Sequence, residues 1–145
     1  MIRWGLCCQF LDAPIRFRTA THRYVATLTA KLRREYLQGI ARDNAAALAA
    51  AVRQCRRLGI GAFRINSQVL PLGTHPVSGY SLDRLDRDGE IRRQFLEAGA
   101  LARELDVRLS FHPDQFVVLN SEREAVVAGS VQEMEFQAEI AEIYG

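Results

Sequence analysis

The stretch that decides the reading is VRLSFHPDQFVVLNS, Val107 to Ser121. Val107–Phe111 is a short β-like run. It stops on His112-Pro113, passes Asp114-Gln115, and then spends Phe116, Val117 and Val118 before the next turn. A strand that ends on a histidine and continues into an amide and an aromatic ring implies a loop that does more than close the chain.

Working outward, IGAFRIN (Ile60–Asn66) reads as a second strand, and IRWGLCC (Ile2–Cys8) as a buried first strand with a glycine inside it. A helical pattern runs from about Thr29 to Leu58, with Leu32, Leu37, Ile40, Leu48, Val52 and Cys55 on one side. Gly59 follows it, where a left-handed cap is expected. Asn44 falls on that apolar stripe, so it is expected to hold a structural hydrogen bond to nearby backbone. A second helix spans roughly Gly89–Leu105, carrying Ile91, Phe95, Ala98, Ala102 and Leu105. The last is expected near Ser121, where Ser121-Glu122-Arg123-Glu124 has the form of a capping box. It would turn Val127, Val131, Met134, Ala138 and Ala141 toward a core and end at Gly145.

Strand and helix alternate throughout, which predicts an α/β fold with a parallel sheet and covering helices. In such units the loops after the strands gather at one edge of the sheet, where ligands bind. His75, in SQVLPLGTHPVSGY (Ser67–Tyr80), and His112 therefore face one mouth. A complete (β/α)8 TIM barrel has eight units and about 250 residues. Residues 1–145 read as about the first three, the N-terminal portion of a single TIM-barrel domain. A three-stranded parallel sheet alone would leave long edges open, so a larger whole is expected.

Composition adds bounds. The 145 residues carry a net charge of +2 and are 48% hydrophobic, ordinary for a globular chain. Lys31 is the only lysine. Arginine suits phosphate contacts, but a GC-rich genome makes the same exchange and is the simpler account. The three cysteines, Cys7, Cys8 and Cys55, read as reduced, small, buried side chains. There is neither a signal-peptide pattern nor an apolar run of membrane length, so a soluble, cytoplasmic protein with no membrane partner is expected.

The chemistry-bearing residues are few. His75 and His112 are each followed by proline, which biases the histidine toward extended geometry, and both suit a metal-ligand role. Two ligands are not a centre, since a catalytic metal needs three or more from the protein. Asp114 is nearby, but capping its own turn is an equal use. His22, among Arg16, Arg18 and Arg23, reads as part of a solvated loop, with contact to a nucleic-acid backbone as the sharper alternative. The Cys7-Cys8 pair lacks C-x-x-C spacing, and packing is the preferred account. Phe116 either packs under its own loop or stands exposed beside Gln115 as an amide and ring at the mouth. Such pairs serve enzymes that open duplex DNA and must replace lost stacking.

GLCCQFLDAPIRFRT, GIGAFRINSQVLPLGTHP and LSFHPDQFVVLNS, in this order, resemble the UV damage endonuclease family. The resemblance runs the length of the chain and is most specific in the FRINSQ and THP residues and in SFHP-x-QF. It implies a barrel nuclease that holds divalent metal ions, manganese foremost, at its mouth. Such an enzyme nicks damaged double-stranded DNA 5′ to UV photoproducts and some other lesions, starting excision repair, and works as a monomer when full length. It implies that His75 and His112 are metal ligands and catalytic, and that Gln115 and Phe116 are inserted at the lesion. Asn66, Ser67 and Gln68 would line the mouth. The family often has Tyr at the position of Phe116, so a ring remains and a hydroxyl contact is lost. The other ligands it implies, among them a modified lysine, belong to later strands, and Lys31 in the first helix cannot stand in for it. The chain alone is therefore expected to be inactive. A sugar isomerase-like metal barrel and a non-catalytic, damage-binding remnant are the alternatives. The Arg-rich first loop and the Gln-Phe pair speak against the isomerase.

Overall fold

The computed structural model describes residues 2–144. Its elements are β1 (Gly5–Cys7), α1 (His22–Val25), α2 (Ala30–Arg57), β2 (Ala62–Asn66), a 3-10 turn (Ser67–Val69), α3 (Leu82–Leu85), α4 (Glu90–Glu104), β3 (Arg108–His112) and α5 (Glu124–Tyr144). The expected helix stop at Gly145 lies outside the described residues.

The same joint is built twice between helix and strand. After α2, Gly59 takes φ 70°, the amide of Ile60 donates to the Cys55 carbonyl (2.9 Å) and that of Gly59 to Arg56 (3.2 Å). After α4, Asp106 takes φ 54°, with Val107 donating to Ala102 (2.8 Å) and Asp106 to Arg103 (3.2 Å). These paired bonds are a Schellman cap, which satisfies the last carbonyls and turns the chain into the next strand. Thr29 caps the start of α2 through its hydroxyl, which accepts from the Leu32 amide (3.4 Å). Buried Asp86 caps α4 by accepting from Ile91 (2.9 Å) and Arg92 (2.8 Å).

The sheet is parallel in the order β1-β2-β3. Register aligns Leu6, Phe63 and Leu109, and next to them Ile65 with Phe111, on the face covered by helices. Phe63 and Ile65 are fully buried there. Cys7, Arg64 and Ser110 align on the opposite face, followed by Asn66 with His112. α2 packs along α4, and α4 along α5. Asn44, fully buried, holds backbone as expected: it accepts from Arg18 N (2.7 Å) and donates to the carbonyls of Arg18 (2.9 Å) and Val69 (2.8 Å).

Several expectations need correction. The first strand is three residues long, and Ile2 (91% exposed) and Trp4 (79%) lie outside any core. β1 is an edge strand paired only with β2, so only Leu6 is drawn inward. Of the cysteines only Cys55 is buried; Cys8 is half-buried and Cys7 exposed. Leu32 is also exposed. α5 starts at Glu124, and the Ser121 hydroxyl accepts from the Arg123 amide (3.2 Å). Its inward face is not Val131 and Met134, which are exposed, but Ser130, Gln137, Ile140 and Tyr144. Ser130 can be buried because it is satisfied, accepting from the Val118 amide (2.8 Å) and donating to the Val126 carbonyl (2.8 Å).

Candidate functional site

β2 and β3 end side by side, and Asn66 and His112 are register partners at that edge. Asn66, which the family resemblance assigns to the mouth, thus stands beside His112. The Asn66 carboxamide oxygen accepts from the Gln68 amide (2.8 Å), so it caps the 3-10 turn and leaves its NH2 group to the rim.

The two His-Pro histidines differ in which nitrogen holds the proton. His112 Nδ1 lies 2.8 Å from the Pro113 carbonyl oxygen. A carbonyl only accepts, so Nδ1 carries the proton and Nε2 keeps its lone pair, the form in which histidine binds metals. His75 Nδ1 lies 3.1 Å from the amide nitrogens of both Val77 and Ser78. Amides only donate, so in the neutral ring the proton sits on Nε2. A metal at His75 Nε2 must displace that proton, and the two amides leave it no place on Nδ1. His112 fits a metal; His75, in this turn, does not.

The His75 loop is tightly tied. Gly79 N donates to the His75 carbonyl (2.7 Å), Tyr80 N to Gly73 (3.0 Å), the Tyr80 hydroxyl to Pro71 (2.9 Å) and Thr74 to the Glu133 carboxylate (2.6 Å). A Cβ on Gly79 would lie 2.5 Å from the His75 carbonyl oxygen, and one on Gly73 would overlap the Phe136 ring. Only glycine permits such close approach. His22 is drawn into this assembly rather than solvated. Its ring stacks on His75 with centroids 4.4 Å apart and planes 13° from parallel, and its Nδ1 lies 2.6 Å from the hydroxyl of buried Ser78.

The loop after β3 is the opposite case. Asp114 caps its own turn, accepting from Phe116 N (3.1 Å) through its side chain and from Val117 N (3.0 Å) through its carbonyl. Gln115 is exposed and Phe116 is 77% exposed, so the ring does not pack under its loop. Gln68 joins the two regions: it lines a cleft of about 240 Å³ with His75 and a second of about 360 Å³ with Asp114 and Phe116. Glu133 of α5 lines both clefts as well. It lies off the apolar stripe of Val127, Val131 and Met134, so the sequence alone does not single it out. Ser130, Glu133 and Gln137, at helical spacing, were the available signal.

Cys7 and Cys8 place their sulfurs 3.4 Å apart. Burial foremost, then Cys7, pushes the Cys8 thiol up to about 11, which keeps it a neutral thiol. Among the described residues no three His, Cys, Asp or Glu side chains gather closely enough to hold a metal ion. No helix among them is long and apolar enough to cross a membrane.

Parallel βα units with polar side chains at the carboxyl ends of their strands have the form of a stretch of β/α barrel. The family model for UV-endonuclease UvdE matches residues 2–145, and the chain belongs to that family. It is 30% identical to the UV DNA damage endonuclease of Nostoc sp. over 97% of its length and 42% of that protein's. It is likewise 30% identical to the UV DNA damage endonuclease of Deinococcus radiodurans, over 97% of the chain and 45% of the relative. The crystal structure of SacUVDE matches all of this chain and 46% of its own, at 25% identity and a TM-score of 0.83. The chain thus spans about half the length of the relatives it matches, and it supplies three βα units of that barrel fold.

Proposed function

We propose that this chain forms the N-terminal part of a metal-dependent DNA repair endonuclease that nicks the phosphodiester 5′ to UV photoproducts. Its partner is damaged duplex DNA, and the reading carries with it a monomeric, cytoplasmic protein. The observation that supports it most is the loop after β3. His112, in the ligating tautomer, lies three residues before an exposed amide and ring. Bound divalent ions, manganese foremost, supply hydroxide near neutral pH and neutralise phosphate charge. The chain's own part is binding: Gln115 offers an amide to base edges, and Phe116 offers a face on which an unpaired base can stack. Asn66 and Gln68 line the rim beside them. The ligand role of His75 rests on family likeness and requires its turn to release Nδ1. Two histidines are fewer than the three protein ligands of a catalytic metal, so the 145 residues alone are expected not to incise.

The test is nicking of UV-irradiated and unirradiated supercoiled plasmid by the protein as its own gene encodes it, with manganese and with a chelator. Nicks confined to irradiated plasmid with metal support the reading. Damage-specific binding without nicking would support the non-catalytic alternative.

A further inference from the structure

We infer that His22 is a positioning residue for His75, an inference that rests on the proposed role of the His75 rim in incision. Three contacts close a ring of constraint between segments far apart in sequence. The imidazoles of His22 and His75 stack at 4.4 Å, close to parallel. His22 Nδ1 bonds the Ser78 hydroxyl at 2.6 Å across 56 residues of chain. The Ser78 amide in turn reaches His75 Nδ1 at 3.1 Å. Ser78 is buried, so its hydroxyl needs a partner inside the fold, and His22 is the partner it has.

The consequence follows from geometry. The Val77 and Ser78 amides hold one edge of the His75 ring but leave it free to rock about that edge. The His22 ring lies flat against its face and removes that freedom. Both Nδ1 edges are turned to Ser78, so both Nε2 edges lie on the side away from it. Thr21 caps α1 by accepting from the Tyr24 amide (3.4 Å), and buried Val25 anchors that helix in the core. The first loop thereby fixes the ring plane of a rim residue that it does not adjoin in sequence, while the two amides fix its tautomer. A rim group left free to rock acts less well, since a misplacement of about 1 Å can cost on the order of 100-fold in rate.

The experiment uses the whole gene product labelled with 15N at histidine, comparing wild type with His22→Ala, His22→Phe and Ser78→Ala. Wild-type His75 should show one protonated and one unprotonated ring nitrogen. In His22→Ala the His75 ring signals should shift and broaden as the ring loses the face that stops it rocking, and incision of irradiated plasmid should fall by about 10-fold in kcat with little change in KM. His22→Phe keeps a stacking face and should restore part of both. Ser78→Ala, which removes only a hydroxyl, keeps the test decisive should His22→Ala fail to fold; it should shift the same signals. Unchanged His75 nitrogens in folded His22→Ala and Ser78→Ala overturn the inference, whatever happens to incision. Shifted nitrogens with full incision uphold the positioning and instead overturn the role given to the His75 rim.

Discussion

The loops after β2 and β3 carry the same His-Pro pair and use it in opposite ways. The first is a closed assembly: carbonyl and hydroxyl bonds cross it, α5 holds it through Thr74 and Glu133, and His22 covers its histidine. The second is anchored by Asp114 and by one bond from Val118 to Ser130, and it leaves Gln115, Phe116 and Leu119 exposed. One histidine accepts at Nδ1 and the other donates. The two loops divide the labour. A loop crossed by many internal bonds holds shape, whereas one that keeps its ring and amide unspent can meet a ligand.

Exchanging each histidine for alanine breaks the comparison most sharply. His112→Ala should reduce incision more than about 100-fold, beyond the usual cost of an outer-shell partner. Its melting temperature should hardly move, because the ring is exposed and its one bond is to the adjoining residue. His75→Ala should lose stability as well, by about 1 kcal/mol, since the part-buried Ser78 amide loses its acceptor while the exposed Val77 amide turns to water. Plasmid nicking and thermal melts of both variants decide this. Equal melting temperatures would mean that the loops are not different in kind.

A smaller effect is expected from Gln115→Ala combined with Phe116→Ala. A base stacked on an aromatic side chain is worth about 1–3 kcal/mol. Preference for irradiated over intact duplex should therefore fall about 10-fold in a competition binding assay, with metal content and melting temperature unchanged. A loss of metal content instead would show that this loop serves the ligand and not the lesion.

Much of the fold was legible in the sequence, and the reasons are local. Strand ends, the His-Pro pairs and Gly59 announce themselves within a few residues, because caps and turns are set by neighbours. Asn44 was readable as a polar residue on an apolar stripe that must find backbone. What could not be read depended on contacts across the chain. His22 meets Ser78 from 56 residues away, and nothing in Arg23 or Thr21 signals that meeting. α5 carries apolar residues on both sides, so periodicity did not choose its inward face, and satisfied Ser130 and Glu133 did. The departure of His75 from the ligating tautomer lay equally out of reach, since it depends on where two amides fall.

The smallest effect separates the loops by pH. Tyr80 belongs to the closed loop, and burial pushes its phenol above the ordinary range near 10. Its hydroxyl donates to the Pro71 carbonyl at 2.9 Å, a bond that requires the proton. The group favours the protonated form when folded, so its contribution is complete below the unfolded pKa and is lost as pH rises from there toward the folded value. Melting temperature should therefore decline above about pH 10. Tyr144, also pushed up by burial, adds to the same decline, while Cys55, pushed up to about 11, begins its own loss nearer pH 9. The difference between wild type and Tyr80→Phe isolates the loop. At neutral pH the variant should be about 1 kcal/mol less stable for want of the hydrogen bond, and the two curves should converge as alkali removes the wild type's advantage. The loop after β3 contains no group of this kind, so the exposure of Phe116 to a hydrophobic quencher should stay constant over the same range. Parallel melting curves would place the strength of the closed loop in Thr74, Gly79 and His22 rather than in Tyr80.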